Sequence, residues 1–307
     1  MSTPTKTPSL PDANTHDPEP LTGTGTGETG ASLSTSLSSK PTEEPKTTKV
    51  GNFDLGGIVL PLGVFAGVIA AWYFVSYVLL DDARRFLMPP PHVVIVDGLL
   101  GSAVPDMWAA LGRTTGIALT GLFIASVIGI GWAILMSMSK NAETALFPYA
   151  VFLQCIPILA LVPLVGFWFG FGFSARVFVC VLIALFPLVS NTLFGLKSVE
   201  PGMRDLFALQ KPSRFTVLRK LELPAAMPSI FVGLRTSAGL AVVGAIVGDF
   251  FFRQGTPGIG MLLDNYRSRL QSPELFAAIV LASLLGVVVF LFFGWLGNRV
   301  VGKWYGK

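Results

Sequence analysis

The residues of this chain that are able to do chemistry are polar side chains isolated within long apolar segments. Gln154, Asn191 and Asp249 each interrupt such a segment. Their chemistry is hydrogen bonding and ion pairing, and a polar group inside an apolar span is costly enough to be a candidate for a functional contact. The amides of Gln154 and Asn191 are also suited to bridge helices, and Asp249 to cap a helix end or to pair with Arg253.

The motifs of bond-making catalysis are absent from the sequence. It contains no Gly-x4-Gly-Lys-Ser/Thr loop that would cradle phosphates and no Gly-x-Ser-x-Gly turn that would present a nucleophile. Cys155 and Cys180 lie in apolar runs, and His16 and His92 lack partners at ligand spacing, so neither pair predicts a metal site. We therefore expect a protein that is not an enzyme and that binds neither a metal nor a cofactor itself.

The elements that must position these side chains are apolar helices. Hydrophobic residues make up 52% of the 307 residues and charged residues only 13%, about half the ~25% of an average soluble domain. A helix of ~20 apolar residues crosses the ~30 Å of hydrocarbon in a bilayer. The sequence predicts an all-α membrane protein with about six transmembrane helices, near residues 55–80, 114–138, 145–169, 176–196, 229–248 and 275–296.

The chain divides into a tail and a transmembrane domain. Residues 1–50 are rich in Ser, Thr, Pro and Gly, and they predict a disordered cytoplasmic tail because they have too little apolar surface to offset the entropy of ordering. Residues 51–307 form the predicted transmembrane domain. Lys and Arg are roughly twice as frequent in the loops on the side of the N-terminus, which places both termini in the cytoplasm. Because these cations form no single patch, we expect no nucleic-acid partner.

Residues 197–224 are the longest polar stretch after the tail. Leucine and phenylalanine recur there at helical spacing with one offset, which predicts two short helices joined at Lys211 and Pro212. Pro212 fits a first helical position, and Leu223 with Pro224 is expected to end the second helix. An amphipathic segment of this kind either rests in the lipid interface or docks a cytoplasmic partner.

The same segment resembles the cytoplasmic coupling loop of ABC importer permeases. That family's motif is Glu-Ala-Ala, three residues, Gly, nine residues, then Ile-x-Leu-Pro. Here Asp205 takes the Glu position, Lys211 takes the Gly position, and the two alanines and the closing residues correspond to Leu206, Phe207, Leu221, Leu223 and Pro224. The resemblance implies that a separate ATPase contacts Asp205, Leu206, Phe207, Lys211, Pro212, Ser213, Arg214, Leu221, Leu223 and Pro224.

Further stretches, over roughly residues 85–300, resemble the nitrate, sulfonate, taurine and bicarbonate branch of that family. They are the Leu-Met-Pro-Pro-Pro run at 87–91, the proline-rich segment 156–164, the Trp-Phe-Gly-Phe-Gly turn at 168–172, Phe-Pro at 186–187 with Asn-Thr at 191–192, and Gly-Ile-Gly at 258–260. Asp249 stands where that branch usually has Glu.

The resemblance implies a permease subunit of an ATP-driven importer in a bacterial cytoplasmic membrane. Its expected partners are a cytoplasmic ATPase that carries ATP and Mg²⁺, an extracytoplasmic substrate-binding protein, a second permease copy and membrane lipid. Gln154, Asn191 and Asp249 are then expected on the path of a small solute such as nitrate, a sulfonate or taurine. Import of a pyrimidine- or flavin-type vitamin precursor, and a self-sufficient secondary transporter, are the alternatives.

Overall fold

The computed structural model describes the backbone of residues 55–305 and the side chains of residues 59–302; the predicted tail, 1–50, lies outside these residues. The described chain is helical. Its α-helices are α1 (Leu55–Phe74), α2 (Pro91–Val93), α3 (Val104–Ser137), α4 (Lys140–Cys155), α5 (Ile158–Phe169), α6 (Phe173–Lys197), α7 (Pro201–Leu209), α8 (Arg214–Val217), α9 (Leu223–Phe251), α10 (Ile259–Ser268) and α11 (Ser272–Tyr305).

Shorter helical segments connect several of these helices. A π-helical turn extends α1, another extends α2, and a third joins α8 directly to α9. A 3-10 helix lies in the charged connection after α1. Their bounds are Val75–Leu79, Val94–Leu99, Leu218–Glu222 and Asp82–Leu87, respectively.

Five stretches of the described residues are long and apolar enough to cross a membrane: Val59–Leu79, Val104–Ser137, Phe173–Lys197, Arg214–Phe251 and Ser272–Gly302. The predicted span at 145–169 is instead two helices, α4 and α5, which meet at an angle of 98°. Ile156 and Pro157 at the bend have extended backbones, since a proline excludes the residue before it from the helical conformation. The described residues therefore contain six spans only if this bent pair crosses as one.

The centre of the bundle is formed by α3, α6 and α9. Glycines at their contacts let the helix backbones lie closer together than residues with side chains would. A Cβ atom on Gly121 of α3 would lie 2.3 Å from the Cβ of Cys180 in α6. A Cβ on Gly244 of α9 would lie 2.9 Å from the Cα of the same cysteine. The three helices thus approach one another closely around Cys180, as small residues permit in membrane bundles.

Helix α1 contacts the rest of the chain mainly at its C-terminal end. The Trp72 indole donates a hydrogen bond to the carbonyl oxygen of Pro89 at 3.1 Å, and the Ser76 hydroxyl donates to that of Met88 at 2.9 Å. The Trp72 ring also packs against Phe276 of α11. Most other described side chains of α1 are exposed apolar groups, so this helix presents a broad surface for lipid or protein to cover.

Candidate functional site

Residues 197–224, here called the basic loop, connect α6 to α9 at one end of the bundle. The prediction of two short helices is confirmed, with α7 and α8 on either side of a joint that contains Lys211 and Pro212. Helix α8 begins after Ser213, whose hydroxyl oxygen accepts a hydrogen bond from the Thr216 amide.

Two details of that prediction were wrong. Pro212 precedes the cap of α8 and is not its first helical residue, because Ser213 supplies the cap. Leu223 and Pro224 do not end the second helix: α8 continues through the π turn into α9, and Pro224 lies in the first turn of α9. Because a proline has no N–H to donate to a carbonyl oxygen one turn back, the regular hydrogen-bond pattern is interrupted at Pro224, directly after the π turn.

Lys211 has a positive φ of 46°. The left-handed conformation costs a residue with a side chain roughly 1–2 kcal/mol, whereas glycine adopts it freely. This is the position to which the coupling-loop motif assigns glycine, the residue that adopts such a φ without strain.

The basic loop is exposed on one surface and anchored on the other. Leu209, at the end of α7, is 80% exposed, and Leu206 and Phe215 are also exposed. Asp205, Lys211, Ser213 and Arg214 are exposed, Phe207, Pro212, Leu223 and Pro224 are half-buried, and Leu221 is buried. Exposed apolar side chains grouped among polar ones are typical of a surface that binds another protein.

Arginine side chains anchor the loop to the ends of the long helices. Arg214 donates a hydrogen bond to the carbonyl oxygen of Met138 after α3 at 2.6 Å. Arg204 donates to the carbonyl oxygen of Leu196 in α6 at 3.2 Å and lies 3.4 Å from the buried carboxylate of Glu222. Movement of the loop is therefore connected to α3, α6 and α9 together.

A buried ion pair lies at the opposite end of the bundle. Asp249 near the end of α9 is fully buried, and its Oδ1 accepts a hydrogen bond from Arg176 Nη1 of α6 at 2.9 Å. Its Oδ2 accepts one from the Thr114 hydroxyl of α3 at 2.5 Å, and the Ile259 amide donates to Thr114 Oγ1 at 2.9 Å. Both charges are thus compensated and hydrogen-bonded, which is the condition for burying them at tolerable cost.

Residues 252–258, here called the clamped loop, are held over this ion pair. Arg176 donates to the carbonyl oxygens of Phe252, Gln254 and Thr256 at 2.9, 2.9 and 3.3 Å. A Cβ on Gly258 would lie 1.9 Å from Asp249 Oδ2, so only glycine lets the backbone pass this close. The Gly-Ile-Gly stretch noted in the sequence therefore has a structural role above Asp249.

The three polar residues predicted for the translocation path are not brought together. Gln154 is exposed on α4, and Asn191 donates to the Pro187 carbonyl oxygen at 2.8 Å and packs against Gly233 of α9. Gly233 lies 16 residues before Asp249 in α9, or about 24 Å along the helix. Asp249 faces the inside of its own chain, and a role for these residues on a path stays a prediction.

Sequence reasoning missed the partners of Asp249. Pairing with Arg253 was wrong: Arg253 pairs with Asp264 of α10, together with Arg267. Arg176 stood at the first residue of the predicted span 176–196, but α6 begins three residues earlier and the arginine is buried within it. A signal for the pair was present in the sequence. Arg176 stands at the start of one predicted span and Asp249 directly after the end of the next, so the two opposite charges lie at the same end of antiparallel neighbours.

Together these contacts hold the helices in place relative to one another. Within residues 55–305, no group of three or more His, Cys, Asp or Glu side chains is placed to hold a metal ion. The arrangement gives a bundle fixed at one end by an ion pair, with an exposed and partly apolar loop at the other.

Comparison with known proteins identifies the family of this chain. The model of the binding-protein-dependent transport system inner membrane component matches residues 121–302, which include α6, the basic loop, α9 and the clamped loop. This chain belongs to that family. It is accordingly a multi-pass transport permease, not an enzyme.

Individual relatives agree with this assignment. The formylaminopyrimidine transport permease of Halalkalibacterium halodurans is 33% identical, over 67% of this chain and 82% of the relative. The putative aliphatic sulfonates transport permease of Escherichia coli is 32% identical over 74% and 85%. The riboflavin transport system permease of Chloroflexus aurantiacus is 28% identical over 85% and 95%.

The fold also resembles a solved structure. The crystal structure of an amino acid ABC transporter with histidines superposes with a TM-score of 0.51 at 18% identity, over 65% of this chain and 94% of that one. This likeness supports the fold alone. Bicarbonate and taurine transport permeases are further relatives, so the sulfonate, taurine and bicarbonate branch suggested by the sequence is confirmed.

Proposed function

We propose that this chain is the permease subunit of an ATP-driven ABC importer and that a cytoplasmic ATPase subunit docks on the basic loop. The observation that carries the proposal is the exposed apolar surface of Leu206, Leu209 and Phe215 on two short helices between long spans. A loop that only linked two helices would not need to present these side chains. ATP and Mg²⁺ would be bound by the ATPase, and this chain would supply neither phosphate-binding nor metal-binding residues.

The contacts of the basic loop suggest how ATPase closure would move the permease. Because α8 runs into α9 through the π turn, a displacement of α8 is passed to α9. The ion pair of Asp249 and Arg176 holds the far end of α9 to α6. ATPase closure would push the N-terminal end of α9, while the ion pair holds its C-terminal end to α6, so α9 would tilt. The tilt would open the permease alternately to the two sides of the membrane.

Two other protein partners complete the proposed importer. A second permease copy would form the translocation path with this one, because the polar candidates on this chain do not gather into a single site. A substrate-binding protein would deliver the solute at the end of the bundle where the clamped loop lies. Lipid would cover the exposed face of α1, in a bacterial cytoplasmic membrane with both termini inside.

The substrate belongs to one of two classes represented among the relatives. Permeases named for sulfonates, taurine and bicarbonate favour a small oxyanion. Permeases named for formylaminopyrimidine and riboflavin favour a heterocyclic vitamin or precursor, and the first of these is 33% identical to this chain. Ligand screening of the binding protein that co-purifies with this chain would separate the two classes.

Co-purification in mild detergent tests the docking proposal. The Leu209→Asp variant places a charge on the exposed apolar surface, and we expect it to lose at least nine-tenths of the ATPase subunit retained by the unchanged chain. Asn141→Asp is the matched control, since it adds the same charge to another exposed turn at the same end of the bundle. Equal retention by both variants would contradict docking at the basic loop.

A further inference from the structure

Arg235 is a charged residue inside the long apolar helix α9. It lies 12 residues after Leu223, the first residue of that helix, or about 18 Å along its axis. Its guanidinium carbon lies 4.0 Å from the centre of the Phe290 ring in α11. An arginine stays charged in proteins, so this side chain brings a permanent positive charge into the region between α9 and α11.

This charge has no protein counterion in the described part of the chain. Arg235 forms no ion pair with any described acidic side chain there, and its buried Nε–H has no hydrogen-bond acceptor. The acids of α9 and the preceding turn are already engaged, Asp249 by Arg176 and Glu222 by Arg204. A buried donor without an acceptor destabilises the fold, and more so when the donor is charged.

The guanidinium faces a small open space. A groove of about 190 Å³ beside Arg235 is lined by Phe231, Phe293, Gly294 and Asn298, among others. A Cβ on Gly294 would lie 3.0 Å from Arg235 Nε, so the glycine lets the backbone of α11 lie against the arginine without crowding it. The groove is smaller than the ~300–1,000 Å³ of sites for drug-sized ligands, which suits a compact ligand.

We propose that Arg235 is the centre of a membrane-embedded binding site for an oxyanion: a sulfonate, carboxylate or phosphate group. Such a group carries the charge that Arg235 lacks in a partner and presents several oxygens to a guanidinium, which binds them through two parallel hydrogen bonds. The apolar walls of the groove strengthen that contact because little water competes for it.

The oxyanion that binds Arg235 could come from two kinds of molecule. The oxyanion is either part of a transported solute or the phosphate of a membrane lipid, because a long arginine side chain also reaches toward headgroups. Only the first source rests on the proposed function. The site itself does not depend on ATPase docking, so the two proposals fail separately.

Thermal unfolding of the full-length chain in dodecyl maltoside tests the site, since this detergent is uncharged and contains no phosphate. One arm adds ethanesulfonate, with uncharged ethyl methyl sulfone as its comparison, and the other adds phosphatidylglycerol to the micelles. A ligand present at 100 times its Kd stabilises the folded chain by about 2.7 kcal/mol, so we expect Tm to rise by several degrees in at least one arm.

Arg235→Gln removes the charge, and the Tm rise should then disappear. Arg299→Gln is the matched control, because Arg299 also lies over an aromatic ring, that of Trp295, but is exposed near the end of α11; its Tm rise should persist. Gly294→Val keeps the arginine and fills the groove, so it should lower the affinity at least tenfold even if Arg235→Gln fails to fold.

Each outcome of the two arms decides the proposal. An Arg235-dependent rise with ethanesulfonate assigns the site to a solute, and one with phosphatidylglycerol alone assigns it to a lipid. No rise in either arm would overturn it, and so would a rise in Arg235→Gln and in Gly294→Val that is as large as in the unchanged chain. Retention of the ATPase by Arg235→Gln would show that docking at the basic loop is unaffected.

Discussion

Asp249 and Arg176 are two ionised side chains removed from water, and their geometry explains why the fold tolerates them. The carboxylate is bound by Arg176 and Thr114, and the remaining donors of Arg176 reach three carbonyl oxygens of the clamped loop. A pair of this kind stabilises little compared with apolar residues, but losing one partner leaves the other charge buried and unpaired. Its value to this chain is that it fixes α6, α9 and the clamped loop relative to one another.

The residue-scale prediction concerns Asp249→Asn. The amide keeps the shape of the carboxylate but leaves the Arg176 charge uncompensated, so we expect the free energy of unfolding to fall by about 3–5 kcal/mol. Thermal unfolding of the purified chain in detergent would measure the loss. Arg253→Gln is the control, because Arg253 is more than half exposed and its partner Asp264 keeps Arg267, so its cost should stay below about 1 kcal/mol. Equal Tm values for Asp249→Asn and the unchanged chain would contradict this account.

The sequence allowed Asp249 to be singled out, but it did not show which side chains would contact it. A carboxylate in an apolar segment stands out by residue type alone. Arg176 and Thr114 are 73 and 135 residues away along the chain, and only the packing of α3, α6 and α9 brings them to it. Arg253 was the obvious partner by sequence distance, yet α10 folds back to give it Asp264 instead.

At the scale of elements, the basic loop is a helix–turn–helix whose turn depends on a left-handed residue. Its two helices and their joint followed from the spacing of leucines and from Pro212. The continuation into α9 did not, because a proline in a helical pattern is typical of a helix end, and the π turn that precedes Pro224 has no signal in the sequence. The bend between α4 and α5 was also missed, since two prolines in an apolar segment do not by themselves show how sharply it turns.

The element-scale prediction follows from the φ of 46° at Lys211. Lys211→Gly removes a strained backbone, so hydrogen exchange at the amides of α7 and α8 should slow, corresponding to about 1 kcal/mol of stabilisation. Lys220→Gly is the matched control: that residue lies in a helical turn, where glycine costs about 1 kcal/mol, so exchange there should become faster. Slower exchange in both variants, or faster exchange in both, would show that the turn is not strained.

At the scale of the whole molecule, the fold class was readable from the sequence, since spans of ~20 apolar residues have few alternatives. Of the six predicted spans, five correspond to long apolar stretches of the described residues, and the sixth is the bent pair of α4 and α5. The orientation is a further expectation from the distribution of Lys and Arg. The clamped loop and the basic loop lie at opposite ends of the bundle, and the positive-inside rule places the basic loop in the cytoplasm.

Cysteine labelling tests that orientation. In a chain with Cys155 and Cys180 replaced by serine, Gln210→Cys in the basic loop should react with an impermeant maleimide only after the membrane is opened. Thr256→Cys in the clamped loop should react in sealed cells. Positions 210 and 256 are both exposed, so a difference in labelling would report which side of the membrane each one faces. The reverse pattern would place the basic loop outside and exclude docking of a cytoplasmic ATPase.

Uptake by proteoliposomes is the measurement that tests the central claim most directly. The permease is reconstituted with and without its co-purifying ATPase and binding protein, and uptake of the solute found on that binding protein is followed with ATP present or absent. The importer account predicts uptake only when the ATPase, the binding protein and ATP are all present, and its loss in Leu209→Asp. Uptake by the permease alone without ATP would contradict the account and identify a self-sufficient secondary transporter.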